Sequence, residues 1–497
     1  MVYSHNIAAG EGYVYNIGGE RVEGSTSPAW TALVALSFLV SDEPYRLLLA
    51  ISVLLTSVAL YFPTRFAAEL GGRIGGALTL LTVLACPTFF GWCSTTLMDT
   101  GLWAAALSSA IYSAVSTQAK FTPLIPCLIL LVTRPESWLL APAILVTRAI
   151  RDGAEQPHRH AIKVLAVRLS LCAAWAVGLV GIRIAYFGQP LPNTYYAKVG
   201  SDRLHAAIDG LKQAARFALD YPLIGACMAL LLIPTTLAVV RIRSRPLRES
   251  AGPLLTSTVT LMPMLGFVAV MASSRDHFVG HRIIQPFLPW MLPFAALAVQ
   301  SSGLSTRVRR VALPLAGLGV FLVVPQVITA SRQVIALRDE FTIAVGGRNL
   351  GEFFSKHFGP TDLPSIGVLA AGGLKATYPG TVYDLLGLNW VAMARASNDR
   401  RGYRGHAAFD AETFWGAGVD LVCPNEIDIA PRTAGDTYDN FTAMVLKGIL
   451  TTQRFRDEYR AVSLARGGRW ITLFAHKSLL SALESKGWLA LPWERGF

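Results

Sequence analysis

Of the 497 residues, 53% are hydrophobic and 15% charged, and the mean hydropathy is +0.44. Soluble domains carry about a quarter of their residues as charges, so these values exclude an ordinary soluble chain and make a bilayer the expected solvent. The net charge of +12 does not indicate nucleic acid, because most of the Lys and Arg lie between apolar segments, where they act as topology signals.

Met1 is followed by polar and aromatic residues as far as Asn16, so no basic stretch leads into an apolar run as a signal peptide requires. The loop from Gly10 to Pro28 is dense in Gly and carboxylates, including Glu20 and Glu23 on either side of Arg21, a composition that suits a loop shaped around a ligand and equally suits plain turns. Pro28 to Val40 is apolar but too short to span, and is expected to lie on the outer leaflet.

Spanning helices are expected near residues 46 to 62, 74 to 92, 98 to 115, 164 to 187, 222 to 240, 251 to 271, 282 to 300 and 311 to 329. Between 121 and 150 two shorter apolar runs are split by Arg134-Pro135-Glu136. Charge is costly in hydrocarbon, so two short helices should meet there at an aqueous edge or cavity.

The basic segments Arg148 to Lys163, Arg241 to Arg248 and Arg307 to Arg310 are cytoplasmic by the positive-inside rule. Residues 188 to 221, 272 to 281 and everything after about 331 then fall outside, and the basic count agrees at every loop but 188 to 221. Asp99 begins a helix at the outer surface, and Arg134 to Glu136 faces outward. The same parity leaves Met1 to Ser27 outside with no span before it, so the chain is expected to lack a first helix.

After residue 331 hydropathy falls, and short apolar runs (Ser365 to Ala371, Val419 to Cys423, Trp470 to Ala475) read as strands of a compact α/β domain. Ala371-Gly-Gly373 reads as a turn after a strand rather than a phosphate loop. Five of the six cysteines (Cys86, Cys93, Cys127, Cys172, Cys227) lie in or at the ends of apolar segments without zinc or redox spacing, and free buried thiols are expected.

Several stretches carry a distinctive set of residues. In the first loop these are Tyr3, Asn6, Gly10, Gly12, Asn16 and the Gly19-Glu-Arg-Val-Glu-Gly24 block. Further on come Trp92 to Trp103 with Asp99, Thr133-Arg134-Pro135-Glu136, and the distinctive Tyr186-Phe-Gly-Gln-Pro-Leu-Pro-Asn193-Thr-Tyr-Tyr196-Ala-Lys198. Asp276 to Pro289 with His281 and Arg282, and Asp384-Leu-Leu-Gly387-Leu388, complete the set. The chain is similar to the GT-C superfamily, in particular to terminal arabinofuranosyltransferases that use polyprenyl-phosphate sugars.

The resemblance implies a mainly α, polytopic transmembrane bundle of GT-C type over residues 1–330 (first outer loop 1–45) and an extracytoplasmic soluble α/β domain over 331–497. It implies multi-pass residence in the inner (cytoplasmic) membrane. It also implies transfer of a pentose or hexose from a polyprenyl-phosphate donor to an envelope glycan, lipid or protein acceptor. The family's adjacent acidic pair, holding its presumed catalytic base, would fall before residue 1, so the expectation is a sequence truncated at its start, with a start codon assigned too late or an inactive protein as the alternatives.

Such chemistry needs a carboxylate to accept the acceptor hydroxyl's proton and cationic or hydrogen-bonding groups to stabilise the departing phosphate. The candidates for the first role are Glu23, Asp99 and Glu136. Those for the second are Arg21, Asn193, Tyr196, Lys198, His281 and Arg282. Each has a structural alternative: a loop brace between Glu23 and Arg21, a helix cap at Asp99, an ion pair between Glu136 and Arg134, and interfacial snorkelling for Lys198 and Arg282. Asp276 and His277 fit a solvated loop. No metal site is expected, since the carboxylates are not spaced as a calcium loop and no His pair stands with an acid. No cofactor is required, although the phosphate leaves room for a divalent cation, and no nucleic-acid partner is expected. A lipid-linked glycan transporter or flippase, or a non-catalytic assembly subunit, are the alternative functions; the absence of an evident internal repeat weighs against the former.

Overall fold

In the computed structural model the described residues are 1–199, 203–229, 278–301, 306–396 and 407–493, with isolated positions between 231 and 266. The expected helix at 251 to 271, the basic stretch Arg241 to Arg248, and Asp276 and His277 lie wholly or largely outside them. The fold is mainly helical, with long apolar helices and a C-terminal mixed sheet.

The helical unit takes in Thr26–Ile184 and Arg203–Arg338. It opens with α1 (Pro28–Phe38), whose N-terminus is capped by the Ser27 hydroxyl accepting from Trp30 N and whose first position is proline. The expected helices at 46 to 62 and 74 to 92 fall largely within α2 (Tyr45–Leu84), a 40-residue helix broken at Gly71 and Gly72, where Gly72 has φ 64° and ψ −161°, a conformation open in practice to glycine alone. A short helix, Pro87–Phe90, leads into a π-turn at Gly91–Thr95.

Three helices then form a hairpin pair: α3 (Thr100–Val115), α4 (Leu124–Thr133) and α5 (Ser137–Glu155). The charged break at Arg134-Pro135-Glu136 separates α4 from α5 as the sequence indicates, since the proline disfavours a helical residue 134, which is extended (φ −152°, ψ 145°). Helices α3 and α5 run parallel, since Arg134 meets Asp99 at their starts and Arg148 and Arg151 reach the Ser113 and Ser116 carbonyls at their ends. The core holds Trp103, Leu107, Ile111, Leu130, Leu140 and Ile144, all buried, and Trp103 Nε1 donates to Ser137 Oγ at 3.0 Å.

Helix α6 (His158–Phe187) is 30 residues long, roughly 45 Å at the usual rise. With α2 it is long and apolar enough to cross a membrane. Its Ile162, Val167, Val177, Ile182 and Ile184 are each more than half exposed. At about 25 cal/mol per Å2 so much aliphatic surface would be costly in water, and hydrocarbon is the solvent it suits.

The sheet-centred unit comprises Met1–Ser25, Ala185–Asp202 and Asp339–Phe497, so the first loop and the 185–202 segment, which the sequence groups with the membrane module, pack with the C-terminal part. The last long helix, Thr306–Phe358, runs unbroken through residue 331. The sheet order is β2-β1-β3-β5-β4-β6, from β1 (Ile366–Val368), β2 (Val382–Asp384), β3 (Leu421–Ile427), β4 (Tyr459–Arg466), β5 (Arg469–His476) and β6 (Leu489–Ala490). The β1–β2 and β1–β3 pairs are parallel and the rest antiparallel. The three apolar runs named above are β1, β3 and β5. Contrary to expectation, Ala371-Gly-Gly373 is not a turn but opens a short helix, Ala371–Lys375, in which Gly373 has no room for a side chain, since a Cβ there would sit 2.5 Å from the Ala344 carbonyl oxygen.

The first loop is built into this unit. Asn16 exchanges two 3.0 Å hydrogen bonds with the backbone of Val382, so its amide imitates a strand neighbour at the free edge of β2. Tyr15 donates to Ala371 O at 2.9 Å, and Tyr3, Tyr15 and Val22 are buried with Ile366 and Leu374.

Candidate functional site

In the helical unit the chemistry gathers where α3 and α5 begin. Asp99 immediately precedes α3, but its carboxylate makes no capping bond. Instead Arg134 Nη1 donates to Asp99 Oδ2 at 3.2 Å, while the same guanidinium clamps Glu136 through two bonds, Nε to Oε2 at 3.1 Å and Nη2 to Oε1 at 2.9 Å. All three side chains are at least nine-tenths buried, and Arg134 also lies over the Trp103 ring at 5.1 Å. Two carboxylates and one guanidinium therefore share a nearly water-free volume. Such a cluster persists only with close geometry, because desolvation opposes it.

The approach to Asp99 is irregular. After the π-turn, Leu97 takes φ 52°, a left-handed conformation costly for a branched residue. Its carbonyl is held by Trp30 Nε1 at 3.1 Å. Gly101 permits this path, since a Cβ there would sit 2.3 Å from the Cys93 carbonyl oxygen. A second irregular segment brings Arg282 to the same place. His281 has φ 54° and Gly280 φ 75°, Gln285 Nε2 donates to Gly280 O at 2.6 Å, and Trp92 Nε1 donates to Val279 O at 3.0 Å. Arg282 then reaches Met98 Sδ at 3.6 Å and stacks on Phe278 at 4.4 Å. π-turns and left-handed non-glycine residues concentrate at functional sites, and here both flank the acids.

His281 faces elsewhere. Its Nε2 pairs with Asp220 Oδ2 at 2.7 Å, and Asp220 also accepts from Gln333 Nε2 at 3.0 Å. Asp99, Glu136 and Arg282 are thus collected at one end of the helices, with His281 turned into a neighbouring network. The sequence did not single out Asp220, Gln285 or Gln333; their polarity within apolar surroundings was the available signal.

In the sheet unit, Arg21, Glu23, Asn193, Tyr196 and Lys198 form the second group. Arg21 lies over the Tyr186 ring at 4.6 Å, and Tyr13 N donates to Tyr186 Oη at 3.0 Å. Glu23 is buried, and its carbonyl accepts from Asn193 N at 3.0 Å. Asn193 opens a short helix, Asn193–Lys198, and its amide donates to Gly387 O at 2.8 Å and Leu388 O at 3.1 Å. Tyr196 carries Arg395 over its ring at 4.8 Å, and Lys198 ends the helix.

At the centre lies Asp384, one-hundredth exposed, accepting from Leu386 N at 3.0 Å, Asn389 N at 2.9 Å and Asn389 Nδ2 at 2.7 Å. Tyr3 Oη donates to Asn389 Oδ1 at 2.7 Å and accepts from Gly24 N at 3.1 Å. Residue 24 must be glycine, because a Cβ would fall 2.1 Å from Asn389 Oδ1. Burial pushes the Asp384 carboxyl up to about 6, against the three N–H donors that favour its charge. The Gly19–Gly24 block and the Asp384–Leu388 stretch, distant in sequence, are therefore two sides of one hydrogen-bonded assembly.

Among the described residues no group of three or more His, Cys, Asp or Glu is placed to hold a metal ion. All six cysteines are unpaired by disulfides, five of them buried.

No family model matches the sequence, and no curated protein sequence matches it. Among solved structures, the chain is similar to the crystal structure of ArnT from Cupriavidus metallidurans bound to undecaprenyl phosphate, with a TM-score of 0.48 and 14% identity, covering 96% of this chain and 93% of that one.

Proposed function

We propose that the chain is a membrane glycosyltransferase of GT-C type that moves a pentose or hexose from a polyprenyl-phosphate donor to an envelope glycan, lipid or protein acceptor at the outer face of the inner membrane. The observation that carries this reading is the buried Asp99–Arg134–Glu136 cluster with Arg282 beside it, at the end of apolar helices and flanked by strained backbone. The family motifs quoted above coincide with these residues.

Glu136 is clamped through both oxygens by Arg134 and serves to position that guanidinium. Asp99 meets Arg134 through one oxygen, and is the better placed general base. The acceptor hydroxyl gives its proton to the Asp99 carboxylate, and its oxygen bonds to the anomeric carbon. The bond from that carbon to the phosphate oxygen breaks, and the electron pair leaves with the polyprenyl phosphate. Arg282, with Arg134, meets the charge growing on that phosphate.

Membrane vesicles carrying the chain, incubated with radiolabelled polyprenyl-phosphate sugars, should yield label in a new glycosidic bond. Label that crosses the vesicle membrane without being transferred would replace this reading with a flippase.

A further inference from the structure

Three arginines converge at the opposite ends of α3 and α5 from the Asp99 cluster. Arg148 Nη1 donates to Ser113 O at 2.7 Å, and Arg151 Nη1 donates to Ser116 O. Asp152 is their shared acid: Arg148 Nε reaches its Oδ1 at 2.6 Å, Arg151 Nη2 lies 3.8 Å from Oδ1, and Arg168 of α6 lies 3.6 Å from Oδ2. The Arg151 side chain is 8% exposed, Arg168 16% and Arg148 19%.

The charges do not balance. Three guanidinium ions face one carboxylate, and the two carbonyls at the end of α3 add only about half a negative charge through the helix dipole. Glu155 also acts on Arg151, but from an exposed position where water screens it. At the same end Glu69 accepts from Tyr112 Oη at 2.7 Å and Ser116 Oγ at 2.5 Å, and its ion pair, at 3.9 Å, is with a fourth arginine, Arg65. Arg151 Nε is shut off from solvent without a hydrogen-bond partner, and Arg168 Nη1, equally shut off, has the 3.6 Å contact with Asp152 but no hydrogen bond. Buried charge is ordinarily paired, so the cluster is one anion short.

Its depth indicates the source of that anion. Arg168 directly precedes the apolar stretch of α6 from Leu169 to Tyr186, which carries Arg183 as its one charge. Val167 and Leu171 on either side of it are 59% and 47% exposed. A guanidinium at the start of a lipid-facing apolar helix stands at headgroup level, where basic pockets between helices bind phospholipid phosphates.

We propose that Arg148, Arg151 and Arg168 form a binding site for a phosphate group, filled by the headgroup of an anionic phospholipid from the leaflet opposite the Asp99 cluster. The inference rests on the membrane placement of the helices and is independent of the transferase reading.

The test is native mass spectrometry of the full chain in neutral detergent with phosphatidylglycerol, phosphatidylcholine or inorganic phosphate. Phosphatidylglycerol should stay bound under activation that strips phosphatidylcholine. Arg151→Gln with Arg168→Gln should weaken it roughly thirty-fold, two arginines' worth. Arg159→Gln with Lys163→Gln removes the same charge from exposed positions and should retain binding. If the first double variant does not fold, Arg168→Gln alone is read, with about a five-fold loss expected. Displacement of the lipid by millimolar inorganic phosphate supports a site that takes phosphate from water as well, and retention of the lipid supports the headgroup as its ligand. Equal binding of the two lipids, or equal loss from both double variants, overturns the proposal.

Discussion

Arg134 shows how one side chain sets a local structure. It neutralises two buried carboxylates at once, so removing it breaks both ion pairs and leaves Arg282 as the remaining cation acting on Glu136, a change that costs about 3–5 kcal/mol when a buried pair is broken. Arg134→Met should lower the thermal unfolding temperature of the detergent-solubilised chain markedly, and adding Glu136→Gln should restore part of it. Unchanged melting of Arg134→Met would show that the cluster is solvated. Asp384 gives a pH dependence. Its folded pKa of about 6 lies above the ordinary aspartate value, so the folded state holds the proton more tightly. Its contribution to stability is therefore full below about pH 4 and is lost as pH rises through about 6. Hydrogen exchange at residues 382–390 of the full chain should show local stability falling from pH 4 to 7. Asp384→Asn should be less stable throughout and should lack that slope.

The elements were legible in the sequence in proportion to how local their cause is. The break between α4 and α5 is written in Arg134-Pro135-Glu136, and β1, β3 and β5 are apolar enough to read directly. Strand β2 (Val-Tyr-Asp) ends on a charge and β6 has two residues, so neither stands out as an apolar run, and β4 (Tyr-Arg-Ala-Val-Ser-Leu-Ala-Arg) mixes charge with apolar residues, so its strand state comes from pairing with β5 on one side and β6 on the other. The break in α2 separates two glycines by conformation alone. Gly71 sits at φ −133°, open to any residue, and Gly72 at φ 64° and ψ −161°, with no atom within 4 Å of a Cβ at either. Gly72→Ala should therefore destabilise the chain by about 1–3 kcal/mol and Gly71→Ala by well under 1 kcal/mol. Equal effects in thermal unfolding would mean that the break is not fixed by backbone conformation.

For the whole molecule, hydropathy announces a membrane protein with a C-terminal α/β part, but it does not show which distant segments pack together. Asp99 and Arg134 are 35 residues apart, and Tyr3 and Asn389 are 386 apart. These contacts make a motif into an assembly, and they depend on the folding of the intervening chain. The candidate acids were visible as residue types in an apolar context, whereas the division between a clamped Glu136 and a singly held Asp99 required geometry. The most direct test of this division is the initial rate of sugar transfer from a radiolabelled polyprenyl-phosphate donor by purified wild-type and Asp99→Asn chains of equal melting temperature. The account predicts transfer by the wild type and a loss of about 10²- to 10⁴-fold in the variant, the usual worth of a general base; transfer by Asp99→Asn at the wild-type rate would contradict it.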